Sequence, residues 1–367
     1  MTPINNCGGI TVSILAELVD HVIGIDPDKE TFSAAIVDAL TRGDVGGERF
    51  TTRPAGYESV IEWADSHTDA GCRVWAIEGT GTYGRGLTRE LRACGEWVIE
   101  FSFPDGPAAP TGAKTDHLDA LRAAREVLGR SQWAEPRNAD GDQAAIAAIH
   151  SLRELLVNQR TQLINHLKAL VLKAPEQLRD QLRDLNNTNL ITTCANLRPS
   201  TDSSDLLDET TSTKIGLKTA ARQIMSLNTD IAALYERLDA QTQTKAPQLR
   251  AERGVGPTVA AVVLIAWSDK GRIRSEAAFA ALAGVNPIPI DSGRNQNQHR
   301  INRSGDRQLN RALYLAAICL AQHDPETKAF IARKHAEGRT TRHARRCLKR
   351  TLARRYYRLL ENSPTAT

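Results

Sequence analysis

His21-Val22-Ile23-Gly24-Ile25-Asp26-Pro27 is followed, across a turn at Asp28-Lys29, by Phe32-Ser33-Ala34-Ala35-Ile36-Val37. This stretch decides the fold. Both runs are rich in β-branched and apolar residues, and the first stops at Asp26-Pro27. Two strands joined so tightly predict an antiparallel hairpin. Working outward, Glu48–Thr52 after Gly46-Gly47 predicts a third strand. Ala55–His67 has a helical period, with Tyr57, Val60, Ile61 and Ala64 on one face. Val74-Trp75-Ala76-Ile77 predicts a fourth strand ending at Glu78, and Gly79 to Gly86 a turn into a helix through Leu91. Glu96 to Phe101 predicts a fifth strand, Pro104–Gly112 a loop, and Thr115 to Leu128 a further helix.

The order is βββ-α-β-α-β-α. Three meandering strands and two crossover units predict a mixed five-stranded sheet with helices on both faces, an α/β fold with ribonuclease-H-like topology. From Asp142 to about Gln243 the pattern becomes helical. Leu152, Leu155, Leu156, Gln159, Leu163, Leu167 and Leu170 form one stripe, and Ala220, Ile224, Leu227, Ile231, Leu234 and Leu238 another. Asn186–Thr213 between them reads as a loop or weak helix. The two stripes predict an antiparallel helical hairpin serving as a spacer or dimerisation arm. The rest is mainly helical. Arg253-Gly254-Val255-Gly256-Pro257 opens a helix over Thr258–Trp267, and a second covers Ser275–Leu282. Asn286–Asn302 is irregular and polar. Gly305–Ala321 is an amphipathic helix, and His335–Leu360 is helical by pattern.

The chain has 367 residues, 25% charged and 41% hydrophobic, with a net charge of +4. That composition excludes collagen-like, disulfide-scaffold and wholly disordered classes. The charge is unevenly placed. Arg294–Arg358 holds 17 Lys/Arg against 4 Asp/Glu, a net of +13, while residues 1–293 carry −8. A basic module on an acidic body points to a polyanion, most simply nucleic acid; a solvated helical surface is the plain alternative. Cys7, Cys72, Cys94, Cys194, Cys319 and Cys347 show no C-x-x-C spacing, which argues against a zinc site. Scattered thiols without a signal peptide fit a reducing cytoplasm. The apolar segment Ile10–Val19 reads as the start of the fold or an ordered arm. Val259–Trp267, the longest apolar run, is too short to span a bilayer at about 20 residues.

Asp26 ends the first strand and Glu78 the fourth, and these strands are neighbours in the predicted sheet. Asp116 and Asp119 share one face of the following helix. Four acids converging on one point need cations to stay ionised. Two Mg²⁺ ions about 4 Å apart would suit phosphodiester chemistry. Each acid alone also has a structural reading: a turn at Asp26-Pro27, a loop acid at Glu78, and helix-dipole acids at Asp116 and Asp119. Lys114 precedes them and reads either as a phosphate-holding lysine or as an ordinary solvated one. Gly254-Val255-Gly256 before a helix looks like the turn of a helix-hairpin-helix, whose backbone N–H groups grip phosphate. Ser292-Gly293 stands near Arg294, Arg300, Arg303 and Arg307, and a serine hydroxyl among such arginines can attack phosphorus. Ser304-Gly305 has the same surroundings, and spacing does not choose between them.

The chain resembles the DEDD transposases of bridge-RNA-guided insertion sequences, a family that includes the Piv-type DNA invertases. The matching stretches are GIDPDK (24–29), AIEGTGTYG (76–84), KTDHLDA (114–120), ERGVGPTVAA (252–261), AFAALAGVNPIPIDSG (278–293) and HRINRSGDRQLNRAL (299–313). They fall in family order over nearly the whole chain. The resemblance implies a RuvC-like domain at 1–135 whose acidic set is Asp26, Glu78, Asp116 and Asp119. It implies a coiled-coil dimerisation region at 140–245 and a C-terminal transposase domain at 246–367 with Ser292 as nucleophile. It further implies a covalent phosphoserine–DNA link, metals supplied by a partner subunit's acidic site, and a structured non-coding guide RNA that pairs with donor and target DNA. Asp291 departs from the polar or serine residue common before the Ser-Gly pair; it would repel phosphate, yet could help deprotonate the hydroxyl. The expectation is a site-specific, homodimeric or homotetrameric DNA transposase-recombinase that binds DNA and RNA. The rival readings are a RuvC-type, structure-selective nuclease with a water nucleophile and a non-enzymatic nucleic-acid-binding regulator derived from a transposase.

Overall fold

Strands buried along both faces, with β3 as the exposed edge, build a sheet ordered β3-β2-β1-β4-β5 from His21–Pro27 (β1), Thr31–Asp38 (β2), Asp44–Thr51 (β3), Arg73–Glu78 (β4) and Val98–Phe101 (β5). β1 and β2 form the expected antiparallel hairpin, with Gly24 opposite Ala35, and β3 continues the meander. β4 runs parallel to β1, with Gly24 beside Ala76 and Ile25 beside Ile77, and β5 is parallel to β4. The computed structural model describes residues 14–101, 115–137, 140–200, 202, 207–290, 299–302 and 305–363. The Pro104–Gly112 loop and residues 10–13 of the apolar N-terminal segment lie outside them. Leu15–Glu17 forms one 3-10 turn whose Leu15 enters the core.

Helices cover both faces, as the element order requires. Asp116–Leu128 (α3) packs Ala120, Ala123, Ala124 and Val127 against Val22, Ala35, Val74 and Ala76. Pro54–His67 (α1) and Arg85–Ala93 (α2) cover Ile23, Ile25, Ile36, Trp75 and Ile77 on the other face. Arg73, the first residue of β4, is locked by ion pairs. Its side chain is 1% exposed, and it meets Glu96 at 2.5 and 3.1 Å and Asp65 at 2.7 Å. The Trp75 indole N–H donates to the same Glu96 carboxylate at 2.7 Å. Burial pulls the Arg73 pKa down, but Glu96 and Asp65 together carry it above the usual guanidinium value.

The chain divides into two compact units. The first runs to residue 139 and takes in Trp267–Ser275; the second comprises Asp140–Ala266 and the chain from Glu276 onward. In the second unit, Gly141–Lys173 (α4) and Glu209–Lys245 (α7) form the predicted antiparallel hairpin. Lys245 meets Asp142 at 3.0 Å at one end, and Arg160 meets Asn228 at 3.1 Å midway. Glu176–Leu182 (α5) and Asn187–Ala195 (α6) close the far end around Leu167, Leu190, Leu217 and Ile224. The segment read as a loop or weak helix thus begins as a real helix, because the Asn186 side chain caps it by accepting from the Asn189 amide. The α4 stripe is only partly used: Leu152 and Leu155 stay exposed.

Pro247–Arg250 (α8), Pro257–Trp267 (α9) and Glu276–Leu282 (α10) follow. Asn286–Asn302, read as irregular, carries a short antiparallel ribbon of Pro287–Pro289 (β6) and His299–Ile301 (β7). Two-stranded ribbons are all edge, so prolines cost no ladder bond there. Arg307–His323 (α11) begins where Asp306 accepts from the Gln308 and Leu309 amides. The basic end is two helices rather than one, Pro325–Ala336 (α12) and Thr341–Glu361 (α13). Gly338 at φ +72° ends the first, and the Thr340 hydroxyl caps the second. Among the described residues no helix is long and apolar enough to cross a membrane.

Candidate active site

Strand alternation sets the geometry of the acids. Val22 and Gly24 face α3, so Asp26 does too; Val74 and Ala76 face α3, so Glu78 does too. Ile25 pairs with Ile77, which puts Asp26 and Glu78 one step further along neighbouring parallel strands. Gly24 is what lets α3 lie so close. A Cβ there would collide with the Ala120 carbonyl oxygen and stand 2.8 Å from the Ala124 amide nitrogen. The turn of α3 before Ala120 carries Asp116 and Asp119. The Thr115 side chain caps this helix start, accepting from the Leu118 amide at 3.3 Å. Gly79, at φ +63°, reverses the chain directly after Glu78.

The acids do not stand as a closed cage. Asp116 reaches Arg49 of β3 at 3.5 Å, and Asp119 reaches Arg122 at 3.2 Å. His117 on the same turn meets Asp44 at 3.2 Å and leaves no room for a Cβ at Gly47. Among the described residues no three His, Cys, Asp or Glu side chains close on one point as a metal-binding group. The donor chemistry nonetheless fits a hard divalent cation: four carboxylates on one face of the sheet or on the helix covering it, two of them held by cationic side chains. Sequence reasoning missed Arg49. Its register opposite Ser33, itself opposite Asp26, is the signal that places it on this row. It also missed Thr80, whose buried hydroxyl has no hydrogen-bond partner among the described residues.

Other candidates divide. Lys114, Ser292, Arg294, Arg303 and Ser304 lie outside the described residues. Arg300 lies in β7, opposite Ile288, and Arg307 is the exposed first residue of α11. Gly254, at φ +82°, packs against α11, where a Cβ would meet the Ala316 carbonyl oxygen at 3.1 Å. Gly256 faces open space at the start of α9. The α10–β6 and β7–α11 junctions cross at Gly284 and Gly305, and a Cβ on Gly305 would run into the Gly284 backbone. Asn302 bridges to Asn286 at 2.8 Å, and the Asp306 amide donates to the Leu282 carbonyl at 2.7 Å.

Two family profiles match the chain. A DEDD transposase profile of the IS110 type covers residues 23–174, and that of the IS116/IS110/IS902 transposase family covers 246–332. The chain thus carries two transposase domains of the IS110 type, one in each match. It is 32% identical over 145 residues to the 43.6 kDa protein of insertion element IS110 from Streptomyces coelicolor, 37% of this chain and 36% of that protein. It is 33% identical over 145 residues to the 42 kDa protein of insertion element IS900 from Mycobacterium paratuberculosis, 38% of this chain and 35% of that protein. A probable family 20 transposase of Pseudomonas aeruginosa is 30% identical over 225 residues, 60% of this chain and 63% of its own length. The match thus spans less than two thirds of each relative.

Proposed function

We propose that this chain is a site-specific DNA transposase-recombinase with a ribonuclease-H-like catalytic domain at 1–135, an oligomerisation hairpin at 140–245 and a nucleophile-bearing domain at 246–367. The observation that carries this reading is the seating of α3 on Gly24, which sets the Asp116–Asp119 turn over the strand ends bearing Asp26 and Glu78. Asp26, Glu78, Asp116 and Asp119 are the residues that would hold two Mg²⁺. Bound there, the metals would supply charge stabilisation at the scissile phosphate. Ser292 is the nucleophile: its Oγ bonds to phosphorus as its proton leaves to a base, and the DNA oxygen departs with the bonding electrons and takes up a proton. Lys114, Arg294, Arg300, Arg303 and Arg307, with the Gly254–Gly256 turn, contact phosphates. The partners are element and target DNA, a structured non-coding bridge RNA and further copies of the chain, in the cytoplasm.

Denaturing electrophoresis of protein incubated with labelled element-end DNA, guide RNA and Mg²⁺ tests the reading. Ser292→Ala is expected to abolish the covalent protein–DNA adduct and leave RNA binding intact. Unchanged adduct formation would refute the role of Ser292. Cleavage without any adduct in the parent protein would favour a water nucleophile.

A further inference from the structure

Helix α13 carries Arg342, Arg345, Arg346 and Lys349 at i, i+3, i+4 and i+7, one face of a helix. With Thr341 and with Tyr314 of α11 they line a cavity of about 450 Å³. Pockets that enclose a small organic group run from roughly 300 to 1,000 Å³.

What distinguishes this cavity is missing counter-charge. Among the described residues, none of these four cations makes an ion pair. The same helix is treated differently further on. Arg354 and Arg358 sit on Glu276 at 2.7 and 3.2 Å, and Arg355 sits on Glu252 at 2.8 Å. Acids thus serve the second half of α13 and not the first. The Arg345 Nε atom is buried with no hydrogen-bond partner among the described residues. Lys349 is half-buried, donates to the neutral Asn310 Oδ1 at 2.7 Å, and stands 6.0 Å from the Tyr314 ring centre. Burial first, then Arg346, pull its pKa below the usual lysine value. Cations gathered around a hollow repel one another until an anion enters. The planar forks of three arginines suit phosphate oxygens, and an exposed tyrosine ring offers a flat face for an unpaired base.

We propose that this cavity binds one phosphodiester group of a single-stranded nucleic-acid segment, with Arg342, Arg345, Arg346 and Lys349 on the phosphate and Tyr314 stacked on the adjoining base. The site rests on the nucleic-acid reading of the chain and adds to it a place and a strand state. RNA and DNA share the phosphodiester, so the test separates them.

Fluorescence anisotropy of the full chain is measured across a salt series with labelled single-stranded RNA, single-stranded DNA of the same sequence and the matching duplex. Arg345→Ala with Lys349→Ala is expected to weaken single-strand binding at least tenfold, and to flatten the log–log salt slope by about 0.7 for each phosphate no longer neutralised. Tyr314→Ala weakens the same binding with the slope unchanged, and Tyr314→Phe restores it. Duplex affinity stays within about twofold. A loss confined to RNA, or to single-stranded DNA, names the source and supports the site. Parent-like single-strand binding by the double and the Tyr314→Ala variants overturns the site while leaving the wider function standing. Equal losses for duplex and single strands also overturn it, since they report only net charge. A parent protein that binds none of the three probes overturns the nucleic-acid reading itself.

Discussion

Arg73 in the first unit and the Arg342–Lys349 face in the second are opposite uses of the same chemistry. Arg73 is sealed at the start of β4 and meets Glu96, Asp65 and the Thr68 hydroxyl. The α13 face lines a hollow and has no carboxylate partner among the described residues. A third arrangement lies in α4, where His150 is 4% exposed and its Nε2 has no hydrogen-bond partner among the described residues. Burial lowers its pKa below the usual 6.5, with Glu154 opposing and Arg153 reinforcing. The chain therefore pairs a buried cation, neutralises it, or leaves it facing a cavity. Only the last arrangement has attraction to spare for a ligand.

The contrast is breakable by experiment, starting with the largest effect. Arg73→Leu leaves the buried Glu96 carboxylate without its guanidinium. It should cost about 3–5 kcal/mol in urea unfolding, as loss of one member of a buried pair does. A loss below about 1 kcal/mol would show that Arg73 is no better served than a surface arginine. His150 should give a smaller effect, and one that depends on pH. Its folded pKa is depressed, so the unfolded state takes up the proton first and stability falls as pH drops below 6.5. Melting temperature followed from pH 7 to 5 should decline less in His150→Leu than in the parent; parallel curves would mean that His150 takes up no proton on unfolding. The smallest effect is expected on α13. Arg345→Ala with Lys349→Ala should shift unfolding by no more than about 1.5 kcal/mol, because no ion pair is broken and only the Lys349–Asn310 hydrogen bond is lost. A large loss there would mean that these cations hold the fold rather than await a ligand.

Where a pattern repeats within a few residues, it was legible in the sequence. The apolar, β-branched runs in His21–Val37 and Val74–Ile77 are enough to order the strands and to put Asp26 and Glu78 at the ends of neighbouring ones. Helical spacing is enough to place Asp116 with Asp119 and to draw the α4–α7 hairpin. What escaped depends on residues far apart in the chain. Arg49 meets Asp116 only because β3 lies two strands from β1, and Arg73 finds Glu96 across a full crossover. The α12–α13 break turns on one glycine and one cap. The four cations of α13 are visible as a helical stripe, yet nothing near them in the sequence announces Tyr314 of α11 as the wall of a cavity.

The crossing of Gly284 and Gly305 fixes the two ends of the intervening segment, which contains Ser292, at one point of the backbone. Lengthening a loop whose ends are already pinned costs little, roughly 0.6 kcal/mol for each doubling. The segment is therefore a cassette: its interior can drift in length and sequence while α10 and α11, which frame it, keep their seats. Relatives are free to vary this segment and leave the scaffold alone, provided the two hydrogen-sized side chains at its neck are kept.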